Sequence, residues 1–335
     1  MCRKVRLGKF TLKNWRVFKK GFYQDRSTGQ QLFLLLGLSL MSFFIIGLLG
    51  TFLLSAITGI TVEQLATISK MKTPHPQLGF FIRGMQLAQF LGLFLVPSWL
   101  AARLFAAEPA RDYLKLSRPV HPGFWMIGIT ILLFSLPLVQ WLGELNRAVE
   151  FPPALADWMK EKENDANDTV KALLGLRTAK DLLLNIVFIA GLAAVGEELL
   201  FRGVLQRMFF RQFGQAWPAI LLSAFLFSSM HMQFYGFLPR FVLGILLGAV
   251  YWYSGSLWTA ILGHFFYDAL LIVLVYFNPV LLQDEPVVGP QTMMVSGLVS
   301  ALLVTMHLHW MLRHTEVDQH QDKEDDSSAH NSYLE

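Results

Sequence analysis

The sequence predicts an all-α fold: a polytopic membrane helical bundle of about eight transmembrane helices. Three observations carry this expectation. Of 335 residues, 54% are hydrophobic and only 16% charged, whereas a soluble domain carries about 25% charged residues. Mean hydropathy is +0.44. The apolar residues are gathered into blocks, each long enough to cross ~30 Å of hydrocarbon at ~1.5 Å per residue.

The chain opens on a basic arm. Residues 1–30 hold nine Lys or Arg against one acid, Asp25, an asymmetry hidden in the net charge of +4. A basic segment just before a membrane span reads as cytoplasmic and lipid-facing, in preference to nucleic-acid binding. It has no apolar core, so it does not read as a signal peptide. The single cysteine, Cys2, excludes an internal disulfide and a Cys-based metal site.

The expected spans follow at about 31–57, 79–105, 123–143, 182–210, 217–237, 238–254, 257–277 and 291–312. Breaks at Gly236–Pro239 and Ser254–Ser256 separate the fifth, sixth and seventh. Arg111, Lys115 and Arg118 mark loop 106–122 as cytoplasmic, as do Arg207 and Arg211 the connection near 207–216. The loop near 278–290 carries Asp284 and Glu285 and no base, so it is expected outside. An even span count returns the C-terminus to the cytoplasm.

Four regions result. Residues 1–30 form the arm. Residues 31–178 form the first transmembrane helices, with an extracytoplasmic loop at 144–180. Residues 179–312 form a membrane core, and 313–335 a disordered polar tail, where Asp322, Glu324, Asp325 and Asp326 cluster. Loop 144–180 carries seven acids and six bases among apolar positions such as Leu155, Trp158 and Leu173. Part of it is expected to lie as a helix on the membrane surface.

Ionisable groups deep in a membrane are expensive and need a reason. Glu197 and Glu198 interrupt a block that is otherwise apolar from Leu182 to Val195. Glu198 and Arg202, four apart on a helix, share a face and can pair. Glu197 lies about 100° around the helix and is left free, a carboxylate suited to act as a base. Phe227-Ser228-Ser229-Met230-His231 places an imidazole in an apolar helix. His264 and Asp268, again four apart, suit proton transfer, oxyanion binding or metal ligation. For each, a structural role is the plainer reading: a span end, a satisfied core histidine, a pair gluing helices.

Depth argues for one site. Counted from Phe210, Trp217 and Leu257, the four polar groups Glu197, His231, His264 and Asp268 lie 13, 14, 7 and 11 residues into their helices. That is roughly 10–21 Å in, so three helices bring polar groups to overlapping heights.

In order and spacing, Glu197-Glu198…Arg202, Phe227…His231 and His264…Asp268 resemble the CAAX-prenyl-endopeptidase and bacteriocin-processing (abortive-infection-like) family of intramembrane proteases. Its pattern is Glu-Glu-x-x-x-Arg, then Phe-x-x-x-His, then His-x-x-x-Asn or Asp. The likeness covers about 180–275. It implies that Glu197 activates a water held with His231, and that His264, with Asp268, stabilises the oxyanion. Glu198, Arg202 and Phe227 would support them. An ionised Asp268 cannot donate a hydrogen bond, so it is either protonated or orients His264. Glu197, His231, His264 and Asp268 are also plausible Zn²⁺ ligands by type. The family has been described both as metalloproteases and as metal-independent glutamate proteases, and the metal-free reading is preferred.

The expected function is therefore intramembrane endopeptidase, in a water-containing cavity opening toward the cytoplasm. The expected substrate is a peptide or membrane-protein segment, a prenylated CAAX protein being one candidate. The rivals are a non-catalytic scaffold or immunity protein of the same fold, and a transporter using Glu197 and Asp268 as a proton relay. A transporter would be expected to show inverted repeats, and the sequence has none.

Overall fold

A computed structural model describes residues 20–61, 64, 77–175, 178–282 and 288–332. Most of the basic arm, together with Asp284 and Glu285, therefore lies outside the described residues. Nine main helices follow in order: α1 (Thr28–Thr58), α2 (Leu78–Phe105), α3 (Phe124–Arg147), α4 (Pro153–Leu174), α5 (Ala179–Phe213), α6 (Ala216–Met230), α7 (Phe237–Ser254), α8 (Leu257–Phe277) and α9 (Pro290–Ser332). No strand occurs among the described residues.

Seven of these helices, α1, α2, α3, α5, α7, α8 and α9 as far as Thr315, are long and apolar enough to cross a membrane. The eighth expected span is different. Helix α6 is apolar but only 15 residues long, about 22 Å. The expected span at 217–237 is thus cut short. The chain leaves α6 at His231, passes Met232 in a left-handed conformation (φ 53°) and makes a short turn at Phe234–Gly236 before α7. The break precedes the expected Gly236–Pro239 boundary because it needs no glycine or proline. Met232 itself takes the left-handed step, which is uncommon for its type.

The outer helices show what covers the bundle. On α1, Phe33, Phe44, Leu48 and Phe52 are exposed, and on α9 so are Val295, Leu298 and Leu302. Apolar surface this continuous suits lipid, not water. The core gathers Phe201, Val204, Phe227, Val250, Leu257 and Ile261 from α5 to α8. Helices α1 and α2 touch backbone to backbone at Gly92, where a Cβ would come within 2.9 Å of the Ser42 carbonyl oxygen. Ser42 hydrogen-bonds the Gly92 carbonyl there.

The two ends of the bundle are distinct. At one end, loop 106–122 is laced to the α7–α8 turn. Leu257 N donates to Lys115 O (2.9 Å) and Val120 N to Ser254 O (3.1 Å), and Ser256 Oγ donates to Ser117 O (2.6 Å). At the other end lies α4, the helix expected in loop 144–180. It is tied down by Asn185 Nδ2 to Leu173 O (3.0 Å), by Gln233 Nε2 to Glu163 Oε1 (3.1 Å) and by the Trp158 and Phe234 rings, 5.1 Å apart.

Beyond Arg313, the expected disordered tail is helical instead, continuing α9 to Ser332. The segment has no glycine or proline, and Glu316, Gln319, Gln321, Lys323 and Glu324 are favourable helix formers.

Candidate active site

Helix α5 carries the two glutamates between two irregular turns. Its backbone widens to π-helical hydrogen bonding at Ile186–Gly191 and again at Leu199–Gln206, leaving one regular stretch, Leu192–Glu198, between them. Such turns are rare and concentrate at functional sites. Gly196 lets α2 press against this stretch, because a Cβ there would meet Phe90 at 2.9 Å and Phe94 at 3.0 Å.

Glu198 and Arg202 point inward, 0% and 1% exposed. Arg202 Nη1 donates to Glu198 Oε1 (2.7 Å) and Nη2 to the Gly244 carbonyl of α7 (2.9 Å). The expected pair therefore forms. The same Oε1 also takes His264 Nδ1 at 2.9 Å, so Glu198 fixes the ring orientation of a histidine two helices away.

Glu197, one position on, faces a cavity of about 380 Å³ lined also by Phe227, His231, Arg240, His264 and Asp268. Its Oε1 lies 4.0 Å from His231 Nε2 and its Oε2 3.9 Å from His264 Nε2. Asp268 Oδ2 is 3.4 Å from the same His264 nitrogen, within reach to orient the ring. All four polar residues expected to converge do so. His231 sits just past the C-terminal end of α6, and its Nδ1 lies 2.8 Å from the Phe227 carbonyl. A carbonyl only accepts, so Nδ1 carries the proton and Nε2 faces Glu197 as an acceptor in the neutral ring.

Phe227 explains the spacing of its motif. Its ring meets His231 edge-on with centroids 5.0 Å apart and His264 at 6.2 Å, and the Arg202 guanidinium lies 4.7 Å from its centroid. One aromatic ring thus spaces both imidazoles and the buried arginine.

Two lining residues were missed at the sequence level, Arg240 and Tyr267. Arg240 Nη2 donates to Gln233 Oε1 (2.6 Å) and Nη1 to Gln233 O (3.2 Å). The signal was available: Arg240 is the single charge between Phe237 and Ser254, and an ionisable residue within a span points to function. The lining corrects a second expectation. Val139, Gly236, Pro239 and Leu271 belong to the α4 end of the bundle, so the cavity lies on the side away from loop 106–122. The short α6 and the turn after it leave room there.

Zinc does not fit this arrangement. Among the described residues, no three His, Cys, Asp or Glu side chains converge on a metal-sized point. Zn–N and Zn–O bonds of about 2.0–2.1 Å place tetrahedral ligand atoms about 3.3 Å apart, closer than the 3.9 and 4.0 Å found around Glu197.

Residues 179–270 match the family model for type II CAAX prenyl endopeptidases, Rce1-like. The membrane core of this chain is Rce1-like. The matched segment contains all three motifs, and the Rce1-like core runs from the start of α5 into α8. The chain is also 28% identical over 197 residues to the uncharacterized protein YpbD of Bacillus subtilis (strain 168), covering 56% of this chain and 88% of YpbD. No solved structure matches. At the level of family, then, the Rce1-like core makes this a CAAX-protease-like membrane protein.

Proposed function

We propose that the chain is an intramembrane endopeptidase in which Glu197 activates a water for attack on a peptide carbonyl. The observation that carries this reading is the position of Glu197 between two imidazoles, 4.0 Å from His231 Nε2 and 3.9 Å from His264 Nε2. Gaps of this size are too wide for direct hydrogen bonds and suit one bridging water.

The chemistry follows from donors and acceptors. Glu197 Oε1 and His231 Nε2 both accept, so a water between them donates both its hydrogens and turns its lone pairs to the substrate. As the water oxygen bonds to the carbonyl carbon, Glu197 takes one proton. The oxyanion then needs a donor. His264 lies between Glu198 and Asp268, and both its nitrogens donate when the ring is charged, so Nε2–H serves the oxyanion while Glu198 and Asp268 hold the ring. Glu197 returns its proton to the leaving nitrogen as the C–N bond breaks, giving one carboxylate and one amine product. No metal takes part. The fitting substrates are peptides or membrane-protein segments entering from the bilayer, prenylated or not.

Comparative proteomics of membranes carrying wild-type or Glu197→Gln protein tests the reading. The expected result is a set of membrane-associated polypeptides that stay uncut only in the variant, with the matching new termini confined to wild type. Identical profiles would overturn it in favour of a scaffold.

A further inference from the structure

The largest cavity of the molecule is not the candidate active site. A groove of about 1340 Å³ runs between α1, α2 and the start of α5. Its walls are leucine-rich, with Leu49, Leu53 and Ile57 on one side, Leu87 and Leu91 on the other, and Phe188 at the back. Leu49 is 64% exposed, Leu53 62% and Ile57 61%, so no part of the described chain fills the trough. From Leu78 to Leu91 the groove spans thirteen residues of α2, about 20 Å, somewhat more than one leaflet of a ~30 Å hydrocarbon core.

One end is polar and cationic. Lys171 closes α4 and Lys180 opens α5, and both line the groove and are exposed. Arg83 lines it too, but its charge is already met. Its Nη2 donates to Asp181 (3.0 Å) and to Asn185 Oδ1 (2.9 Å). The two lysines are thus left as the uncompensated charges at the mouth, where the helices enter the bilayer.

We infer that this groove is a binding site for one anionic phospholipid, its acyl chain along Leu53, Leu87, Leu91 and Phe188 and its headgroup phosphate on Lys171 and Lys180. Charge complementarity selects an anionic lipid over a neutral one. Juxtamembrane lysines each favour an anionic headgroup, and a trough open to lipid along α1 suits an acyl chain better than a folded partner. The placement also ties the site to the cavity. Phe188 lines the groove and the next residue, Ile189, lines the candidate active site. Both belong to the same π-helical turn of α5. Helix α4 likewise carries Lys171 at the groove and Glu163, the partner of Gln233, beside the cavity.

Native mass spectrometry of the full chain, released from detergent with phosphatidylglycerol or phosphatidylcholine added, tests the inference. Wild type is expected to retain one phosphatidylglycerol under activation that strips phosphatidylcholine. The Lys171→Gln/Lys180→Gln variant is expected to lose roughly tenfold or more in phosphatidylglycerol affinity, from two lysine–headgroup contacts. Leu87→Trp, which fills the trough, is expected to lose retention of both lipids. All three proteins should melt within a few degrees of one another, since the substituted side chains are exposed or half-exposed. Equal retention of the two lipids, unchanged phosphatidylglycerol affinity in the lysine variant, or a farnesylated peptide held in the lipid's place would each overturn the assignment.

Discussion

Glu198 and His264 are joined through a single carboxylate oxygen, Oε1, which also receives Arg202 at 2.7 Å. The residue beside the candidate base therefore sets the angle of the ring proposed to hold the oxyanion. The conformation of α5 and the aim of α8 are linked at that atom.

The first prediction concerns that atom. Glu198→Ala leaves Arg202 buried without its counter-ion, which costs about 3–5 kcal/mol in a buried pair. The expected outcome is a large fall in melting temperature in detergent. Glu198→Ala/Arg202→Met should recover much of the loss, because no charge is then left unpaired. A double variant as unstable as the single one would show that the ion pair is not what stabilises this contact.

Substituting His231 separates chemistry from folding. The ring is partly exposed to the cavity and ties back only to Phe227 O, so His231→Ala should melt near wild type. Its cleavage rate should fall roughly 10²–10⁴-fold, the range for a lost proton-handling group. Because the two groups hold one water, His231→Ala/Glu197→Gln should be little worse than Glu197→Gln alone.

Gly196 predicts a steric effect with a rescue. Gly196→Ala drives a methyl group to 2.9–3.0 Å from Phe90 and Phe94, an overpacking expected to cost about 1–3 kcal/mol. Phe90→Leu in the same chain should restore part of the melting temperature. Gly196→Ala at wild-type stability would mean that the α2–α5 contact yields freely.

Metal dependence is the fourth. With donor atoms 3.9–4.0 Å apart around Glu197, cleavage is expected to persist undiminished after prolonged chelation. Elemental analysis of active protein should find well under one zinc per chain. Loss of activity that zinc alone restores would reverse the metal-free reading.

The site was legible because two of its pairs are local. Glu198–Arg202 and His264–Asp268 are four residues apart, and in a helix that spacing forces a shared face. The third motif was placed by depth, since polar groups at matching heights in separate spans seek one another. What stayed hidden depends on signals that a continuous apolar block does not carry. From Trp217 to Ser254 nearly every residue is compatible with lipid, so hydropathy alone does not mark the end of α6 at Met230 or the step at Met232. The π-helical turns of α5 shift the hydrophobic period too little to register when all faces are apolar. Arg240 was readable as a lone charge but has no partner at helical spacing: its contact, Gln233, lies seven residues back across a turn. Helix α4 was foreseen as lying along the surface, but its docking beside the cavity depends on Trp158 and Glu163 meeting residues some seventy positions later.

The wider turn at Ile186–Gly191 has an arithmetic consequence. A π-helical turn accommodates an extra residue, and removing one would return the segment to ordinary α-helical winding. Everything upstream would then rotate by about 100° relative to the glutamates. Asn185 would swing from Arg83, Phe188 from the groove, and the chain entering from α4 would meet the bundle at a new azimuth. The number of residues between Thr178 and Glu197 is therefore as binding a specification as their chemistry, and a one-codon deletion there should be harder to tolerate than most point substitutions along the same stretch.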